Sequence, residues 1–269
     1  GFNYQLGYTW SGPGYDPRVG FEPRTDFSRG QADLNYSWFP DASSRSRFRR
    51  IWLGSQNNVW VLNPNHAVET GRIQPFLQLE TKLGVIWKLS STTQYENVET
   101  GFALGDGADI PVGRYWATEG ALEMRAARAW PVRPNVTVTA GDFFDGTRFG
   151  VSTDVTWPTG PHLEVVAGAE WNRIRFDERN GAFDSRLLRL TLRGAVNTNI
   201  SIDAFAQYNS LTDQLTTNTR FRYNFREGQD FWLVWNEGLN TDRDVLGTPR
   251  LPFENAHTLT IKYSHTWIS

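Results

Sequence analysis

The sequence predicts an all-β chain, a transmembrane antiparallel up-and-down β-barrel of about fourteen strands. Three observations carry that prediction. Apolar and polar residues alternate with period two almost from end to end. The connections between the alternating runs sort by parity, short in one set and mostly long in the other. The 269 residues include 12 Trp, 9 Tyr and 17 Phe although the mean hydropathy is −0.50. A soluble domain would have to bury that aromatic area in a core, whereas a barrel turns it towards lipid.

In chain order the alternating runs cover 3–10, 31–39, 47–60, 72–80, 85–95, 115–130, 136–143, 147–157, 163–174, 187–196, 200–210, 214–226, 231–237 and 256–268. Leu163, Val165, Ala167, Ala169 and Trp171 oppose Glu164, Gly168, Glu170 and Asn172. Leu188, Leu190 and Leu192 alternate with Arg189, Thr191 and Arg193. Ile200, Ile202, Ala204, Ala206 and Tyr208 alternate with Ser201, Asp203, Phe205, Gln207 and Asn209. The next run sets Phe221, Tyr223 and Phe225 against Arg220, Arg222, Asn224 and Arg226, and the last sets Leu259, Ile261, Tyr263 and Trp267 against Thr258, Thr260, Lys262 and Thr266. No stretch carries a 3.6-residue stripe; the nearest, Ala121 to Trp130, alternates equally well and is stopped by Pro131.

One set of connections, 40–46, 81–84, 131–135, 158–162, 197–199 and 227–230, is short throughout. The other includes 11–30, 63–71, 96–114, 175–186 and 238–255, rich in Gly, Pro and Asp, together with two tight turns. These are Asp145-Gly146, a pair suited to the positive φ of a type I′ turn, and 211–213. Short turns on one side and long loops on the other describe a bacterial outer-membrane barrel. A soluble sandwich also alternates but has no reason to sort loop length.

In a membrane barrel the apolar face meets lipid and the charged face lines a polar lumen. On that assignment Glu119, Glu123, Glu170, Arg189, Arg193, Asp203, Arg220, Arg222 and Arg226 line the interior. With Glu164 alongside, they suit mutual ion pairing, because a guanidinium fork grips a carboxylate bidentately. Basic residues are skewed to 24 Arg against Lys82, Lys88 and Lys262. Trp10, Trp38, Tyr95, Trp116, Trp130, Trp157, Trp171 and Tyr208 fall near strand ends, at the level of an interfacial girdle. In a soluble barrel the same apolar face would point inward and the arginines would simply be solvated.

Other chemistry finds little footing. A net charge of −2 gives no reason to expect a nucleic-acid partner, and the absence of Cys excludes disulfides and thiolate metal sites. His66, His162, His257 and His265 lack metal-ligand spacing, so no metal and no cofactor is expected. There is no GxSxG and no phosphate loop. Asp106-Gly107-Ala108-Asp109 and Asp242-Arg243-Asp244 fall short of a calcium loop, and Asp142 with Asp145 flanks a turn without a cleft. Asn236-Glu237-Gly238 is expected to end a strand and fix the loop above it. No enzyme is predicted.

Several segments resemble one family. They are YDPRVGFEPRTDF (15–27), IPVGRY (110–115), AGDFFDGTR (140–148) and QYNSLTDQLTTNTRFRYNFREGQDFWLVWNEG (207–238). They look like a group of large bacterial outer-membrane proteins labelled domain of unknown function 5916. The resemblance implies a C-terminal β-barrel behind an N-terminal carbohydrate-binding-like sandwich, with further strands before the YDPRVGFEPR segment. It therefore implies that residues 1–269 are the C-terminal portion of a longer protein and part of a larger barrel. No binding residue is carried over, because nothing here matches the sandwich.

The expected function is non-enzymatic: a barrel in the bacterial outer membrane with an Arg-rich lumen. It passes or binds a polar solute, a saccharide among the candidates, or anchors the upstream domain. The bilayer, a saccharide or another outer-membrane protein are the expected partners. The alternatives are a plugged docking barrel in an outer-membrane complex and a soluble carbohydrate-binding or glycoside-processing β-protein. Leu190→Arg, on the lipid side, is expected to cost about 2–4 kcal/mol in a folding assay, and Arg189→Leu less unless Arg189 is paired. Equal tolerance of the two would reverse the face assignment.

Overall fold

The computed structural model describes residues 1–16, 24–41, 43–104, 108–179, 181–244 and 249–266. Among the described residues sixteen strands follow one another: β1 (Phe2–Ser11), β2 (Phe27–Trp38), β3 (Phe48–Leu62), β4 (Val68–Thr81), β5 (Ile86–Val98), β6 (Phe102–Ala103), β7 (Asp109–Ile110), β8 (Gly113–Arg125), β9 (Arg133–Phe143), β10 (Gly146–Pro158), β11 (Leu163–Phe176), β12 (Gly181–Ala195), β13 (Ile200–Asn209), β14 (Gln214–Arg226), β15 (Gln229–Asn240) and β16 (Glu254–His265). Among the described residues the only helix is one 3-10 turn, Asp177–Arg179. Fourteen strands form one up-and-down antiparallel sheet in sequence order, and β6 with β7 makes a separate small hairpin between β5 and β8. Each of the fourteen runs read from the sequence corresponds to one strand of the large sheet.

The differences lie at the ends and in the connections. The run expected over 115–130 stops at Arg125. Ala127 is only 2% exposed and sits by the turn at Gly84, whose positive φ of 85° suits glycine. Two expected long loops shrink to 63–67 and 177–180, because β4 begins at Val68 and β12 at Gly181. Only 12–26, 99–112 and 241–253 remain long in that set, whereas 39–47 is the longest in the other. The tight hairpin is also placed differently. Its turn residues are Phe144 and Asp145, with the positive φ at Phe144 (52°), and Gly146 begins β10. Gly146 is required for a different reason: a Cβ there would run into the Arg175 carbonyl oxygen and the Phe176 ring. β15 continues past Glu237 to Asn240, and the register shifts between Gly238 and Leu239, so the Asn-Glu-Gly segment sits at a bulge rather than at the strand end.

Two compact units make up the chain. In the first (Gly1–Ala127, Thr137–Gly150 and Arg173–Phe183), cross-strand register lines up an apolar row Phe2, Tyr36, Leu53, Leu77, Leu89 and Leu122. The opposite face carries the row Gln5, Asp33, Gln56 and Gln74. The second unit (Arg128–Val136, Val151–Asn172 and Asp184–Ser269) lines up Ile202, Phe221, Leu233 and Ile261 on one face, and Arg193, Asp203 and Arg220 on the other.

Exposure is the reverse of a soluble core. Leu53 is 58% exposed, Leu89 57%, Leu188 51% and Ile261 64%, whereas the side chains of Glu80, Glu119 and Glu123 are exposed by only 17%, 19% and 19%. Burial is concentrated in the first unit. There Ala108 and Ile110, from the β6–β7 segment, pack on Ile174 and Phe176, with Val98, Leu104, Tyr115, Phe143, Phe144 and Phe183 around them. This cluster ties Leu104, Ala108 and Ile110 down against the strand ends. β1 and β16 each have a single hydrogen-bonded neighbour, and almost every residue of both is exposed. Because Phe176 is 1% exposed within the cluster, Phe176→Ala should lower stability by about 3–5 kcal/mol, read as a lower urea midpoint.

Candidate functional site

The polar face is held together across strands by ion pairs that the register makes possible. Glu119 on β8 receives both Nε (2.7 Å) and Nη2 (2.5 Å) of Arg148 on β10 at one carboxylate oxygen. Glu123 accepts from Arg125 Nε at 2.5 Å, two residues along the same face. Glu164 lies between Arg193 (2.8 Å) and Arg133 (3.6 Å). Arg189 meets Asp154 at 3.3 Å, so Arg189 is a paired residue and its loss carries that pair with it. Arg222 donates Nε to Asp230 at 2.7 Å while its guanidinium lies 5.3 Å from the Trp232 ring centre.

The remaining residues expected on this face behave differently. Among the described residues Glu170 has no ion pair, and it accepts from Asn172 Nδ2 at 2.9 Å. Asp203 and Arg220 are register partners, yet neither is within ion-pair distance of an opposite charge among the described residues, and the same holds for Arg226. Among the described residues, the residues expected to pair with one another do so at Arg193 and Glu164; Glu119 and Glu123 pair instead with Arg148 and Arg125, and Glu170 and Asp203 pair with no arginine.

Around the girdle positions, Trp10 is 63% exposed, Trp38 55%, Trp116 68% and Trp157 50%. Tyr95 tilts against Trp116 at 5.1 Å, and Tyr208 reaches Asp213 at 3.3 Å. Trp130 stands outside any strand because β8 ends early. Trp267, Ile268 and Ser269 lie outside the described residues, as do 17–23 and the Asp106-Gly107 pair.

The His and Asp candidates take local roles. His162 Nδ1 is 2.8 Å from the Ala195 carbonyl, His265 pairs with Gln229 at 2.8 Å, and His257 packs edge-on to Trp235. Asp242 accepts the Asp244 amide at 3.0 Å, which spends one of its oxygens on a turn. Asp142 Oδ2 accepts the Thr118 amide at 3.1 Å, beside the close β8–β9 approach at Gly141 (φ 156°). Among the described residues no three His, Asp or Glu cluster as a metal site.

One cavity of about 230 Å³ opens on the polar face of the first unit, lined from β4, β5, β8, β9 and β10. Register explains the hollow. Arg72, Gln94 and Ala117 form one row across β4, β5 and β8, and Ala117 places a methyl group between Tyr115 and Glu119. Glu96 accepts from Thr70 Oγ1 at 2.7 Å and from Gln94 Nε2 at 3.0 Å. The aromatic side is Tyr115, Phe143 and Phe144, with Phe144 edge-on to Tyr115 (5.3 Å) and to Phe143 (5.0 Å). A bulky residue at positive φ costs on the order of 1–3 kcal/mol and persists only where its surroundings hold it. Of these residues the sequence places Glu119 on the polar face, whereas its partner Arg148 is not among the residues expected there. Arg72, Ala117 and Phe144 were not singled out, and no local pattern marks them.

No family model matches the chain, and no curated protein matches it significantly. A double-mutant cycle on Glu119→Gln and Arg148→Met should give a coupling of about 1 kcal/mol in urea unfolding, since the pair is mostly covered but not dry. Additive single losses would show that the pair contributes nothing.

Proposed function

We propose that the chain is a bacterial outer-membrane β-barrel, or the barrel portion of a longer protein of the family its segments resemble. Its apolar face meets lipid, and its Arg-rich face lines a lumen that passes or binds a polar solute without catalysis. One observation carries the reading: in the first unit Phe2, Tyr36, Leu53, Leu89 and Leu122 of the apolar row are exposed, while Glu119 and Glu123 on the opposite face are covered and paired. A water-soluble fold would lose about 25 cal/mol for every Å² of apolar surface left this way, whereas a bilayer accepts it. Lipid also requires that the outer edges of β1 and β16 find strand partners, with each other or with further strands, because unpaired amides are costly there.

A second reading, a docking barrel with a blocked lumen, is favoured by Ala108 and Ile110 of the 99–112 connection, which pack on Ile174 and Phe176 rather than standing clear. The protein purified from outer membranes is expected to partition into detergent micelles and to migrate faster on unheated gels than on boiled ones. In planar bilayers an open lumen conducts and a blocked one does not. Recovery in the aqueous phase would remove both barrel readings and leave the soluble one.

A further inference from the structure

We infer that the cavity of the first unit binds one ring of a neutral polyhydroxylated ligand, a monosaccharide or a cyclic polyol. The inference deepens the solute-binding part of the function proposed above and rests on it only for the side from which the ligand arrives.

Size comes first. About 230 Å³ is below the ~300–1,000 Å³ of sites for drug-sized ligands, and suits a single ring. Charge comes second. Arg148 neutralises Glu119, and Asp142 and Glu96 add further negative charge, so an anion gains little. Arg72 is exposed on the same wall with no ion-pair or hydrogen-bond partner among the described residues and offsets one of those carboxylates, so neither sign of charge dominates the lining. What fits is a set of hydroxyl groups, each able to donate to a carboxylate and accept from a guanidinium or amide. The alternation of Arg72, Gln94 and Thr92 with Glu96 and Glu119 supplies that mixture within one lining.

Shape comes third. Tyr115, Phe143 and Phe144 give an apolar side against which the C–H face of a ring can lie. Phe144 stands at φ 52°, where glycine or asparagine would be unstrained, and three ring contacts (Phe102, Tyr115 and Phe143) hold it there. Strain of this kind gathers where the position of a side chain matters more than the comfort of its backbone.

The test is calorimetric titration of the full chain with D-glucose, D-galactose and myo-inositol, in whichever phase, micelle or buffer, the protein is recovered. Glucose 6-phosphate serves as the anionic comparison. At least one neutral ring should bind, and the phosphate ester should bind more weakly than glucose. Arg72→Gln, at an exposed position that leaves the packing intact, should weaken binding about tenfold. Ala117→Phe, which fills the hollow, should abolish it. Failure of all three neutral rings to bind, tighter binding of the phosphate ester, or affinity unchanged in Arg72→Gln would overturn the inference. Partition and conductance test the barrel separately, so failure of one reading is distinguishable from failure of the other.

Discussion

A strand makes its backbone hydrogen bonds sideways, so cover for its side chains has to come from above and below the sheet. In this chain that cover is largely missing on the apolar face: the row from Phe2 to Leu122 in one unit is mostly exposed, and in the other Ile202 and Ile261 are exposed while Phe221 and Leu233 between them are half-buried. The small cluster around Ile110 and Phe176 is too local to anchor so much sheet. Every other feature follows from where those rows find an apolar phase. The proposed bilayer supplies it from outside, and the opposite face is then free to be polar.

That polar face is built from short-range electrostatics rather than from packing. Arg193 and Arg133 grip Glu164, Arg189 grips Asp154, and Arg148 grips Glu119, each from a neighbouring or nearby strand. Pairs this exposed contribute little apiece in water. Their value lies in fixing where charge stands: a paired carboxylate leaves a nearly neutral wall, and a lone guanidinium such as Arg72 or Arg220 becomes the point at which a solute meets unspent charge.

How far the sequence could be read depended on the range of the interaction. Period two is a property of adjacent residues, so all fourteen strands of the large sheet were legible, and so were the two faces in runs such as Leu188 to Arg193. The β6–β7 hairpin was not, because Ala108 and Ile110 acquire their cover from Ile174 and Phe176, far along the chain. Asp145-Gly146 looked like the apex of its turn by composition. Gly146 is needed instead for its approach to Arg175, which moves the positive φ onto Phe144. The cavity was likewise hidden, since a hollow at Ala117 exists only once Arg72 and Gln94 are laid beside it.

The order of the sheet also bears on how the chain can assemble. Because successive strands are neighbours, with only the β6–β7 hairpin intervening, each new strand needs to find a partner that has just been laid down. Apart from 12–26, 99–112 and 241–253, the loops that must close are therefore short, and the entropic cost of bringing partners together stays low at most steps. Such a chain can zip one hairpin at a time from any starting point, and a defect in one strand stalls its immediate neighbours before it disturbs those further along.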